Sequence, residues 1–312
     1  MRVFVAGATG ALGRPLVKKL LERGHDVTGL TRDPVKGAEL AAAGATPVIA
    51  DIFEAETVLS AIEAARPDAI ISELTALPQR LNPRKLAQYY AANDRVRREG
   101  TRTLLKGARR INVPRIVSQS SAFWYAPTPG LVKTEAAPFD TEAPEPIRTA
   151  VATMIEVEEM IMSAAGLSAV NVRYATLYGP RTWYSANGEV GQRFRKRMYP
   201  MIGSGEAIMS FVHVDDAATA TIAALESGAT GAFNVADDEP AVASEWMPLF
   251  AEAIGAPKPL HAPVFLARLL AGRAAVHLAV NSRAASNTRL KDELGWRPRF
   301  ESWRTGFYRG FS

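Results

Sequence analysis

Along its first half the chain alternates short apolar runs with amphipathic ones, the pattern of strands and helices in a parallel α/β sheet. The runs RVFVAG (2–7), DVTGLTR (26–32), TPVIAD (46–51), DAIISEL (68–74) and PRIVSQSS (114–121) predict buried strands. Between them RPLVKKLLERG (14–24) reads as a helix closing on Gly24, AELAAAG (38–44) as a short helix, and residues 83–112 as one long helical region stopping before Pro114. The texture changes over 126–146, where Pro127, Pro129, Pro138, Pro144 and Pro146 exclude a helix or an inner strand. That segment is expected to be a long loop beyond a strand's carboxyl end, the side on which open α/β sheets bind ligands. Next, RTAVATMIEVEEM (148–160) spaces Val151, Met154, Ile155 and Met160 as a helix does, with Glu156, Glu158 and Glu159 supplying a wet face. SAVNVRYATLYGP (168–180) follows as a strand. From Arg181 the alternation lapses, returning in MSFVHVDDAATATIAALESG (209–228) and GAFNVAD (231–237). The expected architecture is α/β: a doubly wound Rossmann sheet over residues 1–180 plus 208–236. A smaller, interleaved substrate-binding lobe is expected over 181–207 plus 237–312.

Composition narrows the class without changing that picture. The 312 residues are 47% hydrophobic and 22% charged, ordinary for a globular chain with a large core. No run approaches the roughly 18 apolar residues of a membrane span, and MRVFVAGATG is too short and glycine-rich for a signal sequence. A cytoplasmic protein without membrane association is therefore expected. The absence of cysteine excludes disulfides and thiolate metal sites, and His25, His213, His261 and His277 lack metal spacing, so no metal is expected. Lys and Arg exceed Asp and Glu by 37 to 32. The densest basic run, RFRKRMYP (193–200), reads as a solvated helix face, and no nucleic-acid signature accompanies it.

The chemistry begins at GATGALG, which sets Gly7, Gly10 and Gly13 between the first strand and its helix. A tight turn, close backbone approach to a pyrophosphate and close helix–strand packing all require glycine there. Thr9, Ala11 and Leu12 complete the expected cradle. At the end of the second strand an acidic residue would bind a ribose 2′-hydroxyl, whereas an arginine favours a 2′-phosphate. GLTRDP places Thr31 and Arg32 there, with Asp33 starting the next turn. One charge-assisted phosphate bond corresponds to about 10- to 100-fold preference, so NADP is expected over NAD. Asp51 and Ile52 are expected to flank the adenine. Leu74, Ser120 and Tyr174, near further strand ends, complete the expected cofactor contacts.

GATGALG, EGTRTLLKGARRINVPRIVSQSSA, VRYATLYGP, FVHVDDAA, GAFNVADDEP and ELGWRPR, in that order, resemble the extended short-chain dehydrogenase/reductase family, the NAD-dependent epimerase/dehydratase group, from end to end. The resemblance implies a Rossmann domain for NAD or NADP, a small-molecule substrate in the C-terminal lobe, and a homodimer pairing two helices per subunit, here 83–109 and 148–165. It also implies a serine or threonine after RIVSQSS that orients the substrate oxygen, then a Tyr-x-x-x-Lys pair on the next helix. In that pair the tyrosine, its pKa lowered by lysine and cofactor, transfers a proton while hydride moves at the nicotinamide. Ser121 matches the serine. Registering Glu158 on the family's downstream glutamate puts Ala150 at the tyrosine and Met154 at the lysine. None of the eight tyrosines has a lysine four residues later, so no slip of register supplies the pair. General acid–base catalysis contributes roughly 10²–10⁴-fold, so its loss is a large deletion.

A second departure concerns substrate. Members resembling UDP-galactose epimerase carry an arginine where AIMSFVHVDD offers Met209, and their C-terminal Arg-x-Gly-Asp-like element is missing. A sugar diphosphate is therefore not expected. Phe123, Trp124, Tyr178, Trp183 and Met209, with Tyr125, Tyr184 and Phe211, suggest a flat, largely apolar small molecule. The block around His213, Asp215 and Asp216 is expected to join a strand to a helix, and GSG (203–205) lacks a hydrolase elbow. Ser121 and Tyr125 are the expected catalytic pair, with Tyr178, Glu135 and Asp140 as further candidate acids and Lys133 as the nearby lysine. The expected activity is an NADP(H)-dependent oxidoreductase on a carbonyl, alcohol or enone with a non-standard proton donor. A redox-neutral isomerase, epimerase, cyclase or lyase retaining the dinucleotide, and a non-catalytic NADP-binding sensor, stand as the alternatives.

Overall fold

A computed structural model describes residues 1–311 apart from 79, 81, 83 and 84. The first half runs β1 (Arg2–Ala6), α1 (Gly13–Glu22), β2 (Asp26–Thr31), α2 (Pro34–Ala42), β3 (Thr46–Ile49), α3 (Ala55–Ala65), β4 (Ala69–Ser72), α4 (Leu86–Arg110), β5 (Arg115–Ser121), β6 (Val132–Lys133), α5 (Ile147–Met162) and β7 (Ser168–Tyr174). The remainder runs β8 (Thr176–Tyr178), α6 (Glu189–Arg195), β9 (Met201–Ile202), β10 (Ile208–Met209), β11 (Phe211–His213), α7 (Val214–Glu226), β12 (Gly231–Val235), β13 (Ala241–Val242), α8 (Ala243–Ala253), β14 (His261–Ala262), α9 (Val264–Asn281), β15 (Ala284–Ala285), α10 (Thr288–Leu294) and α11 (Trp303–Arg309).

Seven strands form one sheet in the order β12-β7-β5-β4-β1-β2-β3, every pair parallel. Strands covered by helices on both faces need apolar side chains on both, and β4 (AIIS) is buried at every position. One face packs Leu16, Val17 and Leu20 of α1 with Ala217, Ala220 and Leu225 of α7 on Val3, Val5, Ile71 and Val117. The other packs Val58 and Ile62 of α3, Leu104 of α4 and Ile161 of α5 on Phe4, Ile70 and Ile116. The winding reverses between β1 and β4, and at such a switch point the two flanking loops part and leave a crevice for ligand.

The expected strand over 168–180 divides at Ala175. β7 stays in the main sheet, whereas β8 leaves it to pair with β11. Beyond that break Tyr178, Phe194, Phe211, Trp246, Phe250, Trp303 and Phe307 build a second core. Leu290 of α10 and Trp296 pack into the first core, so the tail is shared between the two. Several helices depart from the sequence reading, which places none at α3, α8, α9, α10 or α11 and begins α2 at residue 38 instead of Pro34. α3 fills the 55–65 interval, and α9 is long and apolar enough, by length and composition, to cross a membrane, which corrects the expectation that no such run exists. Gly272 is non-helical (φ 86°) and divides α9, so neither half approaches the roughly 20 continuous helical residues of a span. The expected helix partner segment 83–109 is realised by α4, while 83 and 84 lie outside the described residues.

Candidate active site

The glycine-rich turn is built so tightly that only glycine fits. Gly7 sits at φ +88°, a Cβ on it would lie 2.5 Å from the Glu73 carbonyl oxygen, and a Cβ on Gly13 would lie 2.1 Å from the Gly7 carbonyl oxygen. Gly10 N–H donates to that carbonyl at 3.1 Å, closing the turn. α1 begins at Gly13, and its N-cap Leu12 offers no side-chain cap; Arg14 N–H is taken by the Gly10 carbonyl at 3.2 Å and Pro15 has none, so the helix start presents its positive end to the turn, as a phosphate site requires. Thr9 and Thr31 hydroxyls meet at 3.3 Å, tying the turn to the end of β2.

At that end the Arg32 side chain is 78% exposed and its guanidinium stands 3.9 Å from the Asp51 carboxylate, a loose pairing. Asp33 caps α2, accepting from Val35 N–H at 3.0 Å and Lys36 N–H at 3.4 Å, so its carboxylate is turned to the helix. Arg14, which the sequence reading leaves unmarked, donates to the Thr9 carbonyl at 3.2 Å and pairs with Glu39 of α2. Its only sequence signal is its place directly after the last glycine of the turn. Ile52 and Leu74 meet over Gly100 of α4, where a Cβ would lie 2.6 Å from Leu74 and 3.1 Å from Ile52. The turn, the uncapped helix start and the arginine-bearing strand end together fit a dinucleotide.

At the end of β4, Glu73 is buried beside the turn. Tyr174 donates to its Oε1 at 2.8 Å and shares a 2.5 Å hydrogen bond with Thr221, while Oε2 has no partner. Burial pushes the Glu73 carboxyl up to about 8, with the Tyr174 hydrogen bond and the Arg97 charge pulling the other way. Tyr174, expected at the cofactor, is thus bound to the expected crevice through Glu73.

Along α5, Ala150, Met154 and Glu158 form a buried stripe with one helical turn between members. Its sheet-ward end is fixed by Glu158, which accepts from the Ser120 hydroxyl and, at 2.8 and 2.6 Å, from Arg173. Arg97 of α4 reaches this stripe, NH1 lying 3.0 Å from Met154 Sδ and NH2 donating to Gln119 Oε1 at 3.2 Å. It is buried, its Nε has no partner, and among the described residues no carboxylate lies within ion-pair distance. Glu73, Arg97 and Gln119 all escape the sequence reading; Arg97 lies in VRRE, which passes for a wet helix face.

Ser121 keeps its expected place at the end of β5. Its oxygen accepts from Phe123 N–H at 3.2 Å, capping the single helical turn Ala122–Trp124, and its own hydrogen is left to donate. Phe123 and Trp124 pack edge to face at 5.2 Å, and Trp124 meets Tyr90 of α4 at 6.0 Å. Trp183 donates to the Pro78 carbonyl at 2.9 Å, bridging the second core to the segment after β4.

The expected proton donors are placed otherwise. Tyr125 donates to Asn234 Oδ1 at 2.6 Å, accepts from Arg173 at 2.9 Å and stacks on Phe139, and burial pushes its hydroxyl up to about 12. With its hydrogen committed to Asn234, it is a buried network member rather than an available acid. Tyr178 is wholly buried in the second core, where a Cβ on Gly306 would collide with its hydroxyl, and burial raises its pKa strongly. Met209 lies in that same core. Neither residue lines an open substrate wall. Glu135 accepts from Asn234 N–H at 2.7 Å, Asp140 meets His277 at 2.7 Å, and Lys133 donates to the Pro129 carbonyl. His213 caps α7 and bonds the Gly310 carbonyl, while Asp216 accepts from Arg299 and Phe300 N–H groups, all structural bonds. Among the described residues no group of three or more metal-ligating side chains occurs.

Comparison with known proteins places these features. The model of the NAD dependent epimerase/dehydratase family matches residues 3–236. The chain is 41% identical over 309 residues, covering 99% of itself and 100% of its relative, to the 3-diazoavenalumate denitrifying reductase of a Streptomyces species. It is 27% identical to the 2-alkyl-3-oxoalkanoate reductase of Stenotrophomonas maltophilia, over 83% of this chain and 77% of that protein. Among solved structures, Thermus thermophilus UDP-glucose 4-epimerase in complex with NAD superposes with a TM-score of 0.76 at 25% identity, covering 99% of this chain and 97% of the other.

Proposed function

The chain belongs to the NAD-dependent epimerase/dehydratase family of enzymes, and from that premise we propose that it is an NADP-dependent reductase delivering hydride to an electrophilic diazo group on a small, flat substrate. One observation carries the reading: the whole-length relative is a denitrifying reductase of a diazo compound, and this chain lacks the pair that would supply a proton. When bound, the dinucleotide supplies one hydride, and for an arenediazonium that alone closes the balance: ArN₂⁺ + H⁻ → ArH + N₂. Hydride bonds to the terminal nitrogen, and the nitrogen pair then leaves as N₂ while its proton passes to the ring carbon. No external acid is consumed, so Ala150 and Met154, at the register proposed for tyrosine and lysine, cost such a reaction nothing.

The remaining residues position and select. The glycine turn and α1 start would hold the pyrophosphate, and the exposed Arg32 at the end of β2 would meet a 2′-phosphate, which supports NADP over NAD. Ser121 donates its free hydrogen to a polar atom of the substrate, and Phe123, Trp124 and Trp183 offer flat faces near the same strand end. A carbonyl or enone is the second reading, favoured by the likeness to the 3-oxoalkanoate reductase. It requires a proton, which the placements of Tyr125 and Tyr178 do not provide. The test supplies the purified protein with NADPH and a ¹⁵N-labelled arenediazonium carboxylate, reading absorbance at 340 nm and ¹⁵N₂ by mass spectrometry. One N₂ per NADPH is expected; NADPH oxidation by 3-oxo substrates with no N₂ from the diazonium overturns the first reading in favour of the second.

A further inference from the structure

A buried cation without a counter-ion is strongly unfavourable unless its donors are filled. Arg97 is such a cation: buried, partnered among the described residues by a thioether sulfur and one amide oxygen, and with Nε unbonded. Burial lowers its pKa only to about 10, so it stays protonated at neutral pH. Its side chain comes from α4, yet the guanidinium arrives at the tip of Met154 on α5, beyond the end of β4. It therefore brings a positive charge to the place where the register leaves a methionine instead of a lysine.

What can fill its donors follows from the crevice. A dinucleotide lies across the switch point between β1 and β4, with its pyrophosphate at the start of α1. Arg32 and Asp51, 3.9 Å apart beyond the ends of β2 and β3, would then take the adenine side. The nicotinamide side must then cross onto the ends of β4 and β5, and the first group past the pyrophosphate is a sugar whose two hydroxyl oxygens accept hydrogen bonds. Gln119, on β5, already accepts from Arg97 NH2, which orients the planar fork along that strand end. Neutral acceptors match a cation on which the Asp94 charge already acts from beyond ion-pair distance, the Glu73 carboxyl being protonated at neutral pH. A substrate carboxylate would not need the crevice's switch-point geometry.

We propose that Arg97 holds the nicotinamide-side ribose of the cofactor, taking over from α4 the position that α5 leaves without a cation. This rests on the dinucleotide reading above, and the probes keep the two separable. 2′,5′-ADP carries the adenine side and the 2′-phosphate but lacks the second ribose, so its binding reports the cradle alone.

The experiment titrates NADPH and 2′,5′-ADP calorimetrically into the wild type, Arg97→Gln, and Arg97→Gln combined with Met154→Lys. Losing a charged donor weakens NADPH binding about 10- to 100-fold, while 2′,5′-ADP binding stays within about twofold, since that probe lacks the ribose concerned. Met154→Lys returns a cation from the other helix and is expected to restore most of the lost NADPH affinity, which a merely damaged fold would not permit. Unchanged NADPH binding in Arg97→Gln overturns the proposal, as does an equal loss for both probes.

Discussion

Replacing Glu73 by glutamine tests the buried polar centre beside the glycine turn. The native carboxyl is pushed from its ordinary 4.5 up to about 8, so the folded protein keeps a proton that the unfolded chain has already released. Between those values the native state binds more protons than the unfolded state, and stability falls as pH rises. Below 4.5 both states are protonated and nothing is lost; above about 8 both are ionised and the loss is complete. At about 1.36 kcal/mol per pH unit, the span from 4.5 to about 8 caps the loss at about 5 kcal/mol. Crossing from pH 6 to pH 8 accounts for roughly 2–3 kcal/mol of it. Glutamine keeps the acceptor for Tyr174 and cannot ionise, so the variant escapes that slope. Urea denaturation of ligand-free protein, followed by tryptophan fluorescence at pH 6, 7, 8 and 9, reads the difference directly. Glu73→Gln should gain on the wild type steadily up to about pH 8 and then hold its lead. Midpoints that move in parallel over the whole range would refute the reasoning, because the native carboxyl would then be titrating as it does in water.

Arg32→Asp should remove the phosphate partner and leave a carboxylate suited to a ribose hydroxyl, lowering the NADPH-to-NADH affinity ratio about 10- to 100-fold in a fluorescence titration. Gly13→Ala sets a methyl 2.1 Å from the Gly7 carbonyl, so the turn must open, and calorimetry should find 2′,5′-ADP binding reduced at least about tenfold. The outward groove between α4 and α5 is lined by Arg102, Leu105, Arg109 and Met160. If copies pair there, light scattering reads twice 33.7 kDa for the wild type, and Met160→Arg, by adding like charge across the symmetric contact, shifts it toward one copy.

Local signals were legible where a residue's role is set by its neighbours in sequence. The glycine turn is one case, since its spacing is the geometry. Asp33, expected only to start the next turn, instead caps α2, which begins four residues before the expected helix at 38; the aspartate–proline pair carries that signal, which escapes the sequence reading. The parallel sheet was legible too, through apolar runs bounded by turns. Tyr125 shows the opposite. Its distance from Ser121 was visible, but its hydroxyl is claimed by Asn234, which stands 109 positions downstream. Tyr178 likewise acquires its surroundings from residues 211–311. α9 hid for another reason: it is apolar on nearly all sides, so no helical periodicity marks it. Arg97 hid inside a charged run, and only its packing against Met154 distinguishes it from the exposed Arg95.

The break of one strand at Ala175 decides how this protein can be taken apart. The chain enters the second core through β8, returns to the first through α7 and β12, and leaves again at β13. A fragment ending at residue 180 would carry the glycine turn and Ser121 but would leave β7 an open edge, with no α7 over Val3, Val5 and Val117. Neither half is a module that recombination could lend to another protein. The two cores travel together, because any single cut parts helices and strands from the core they complete.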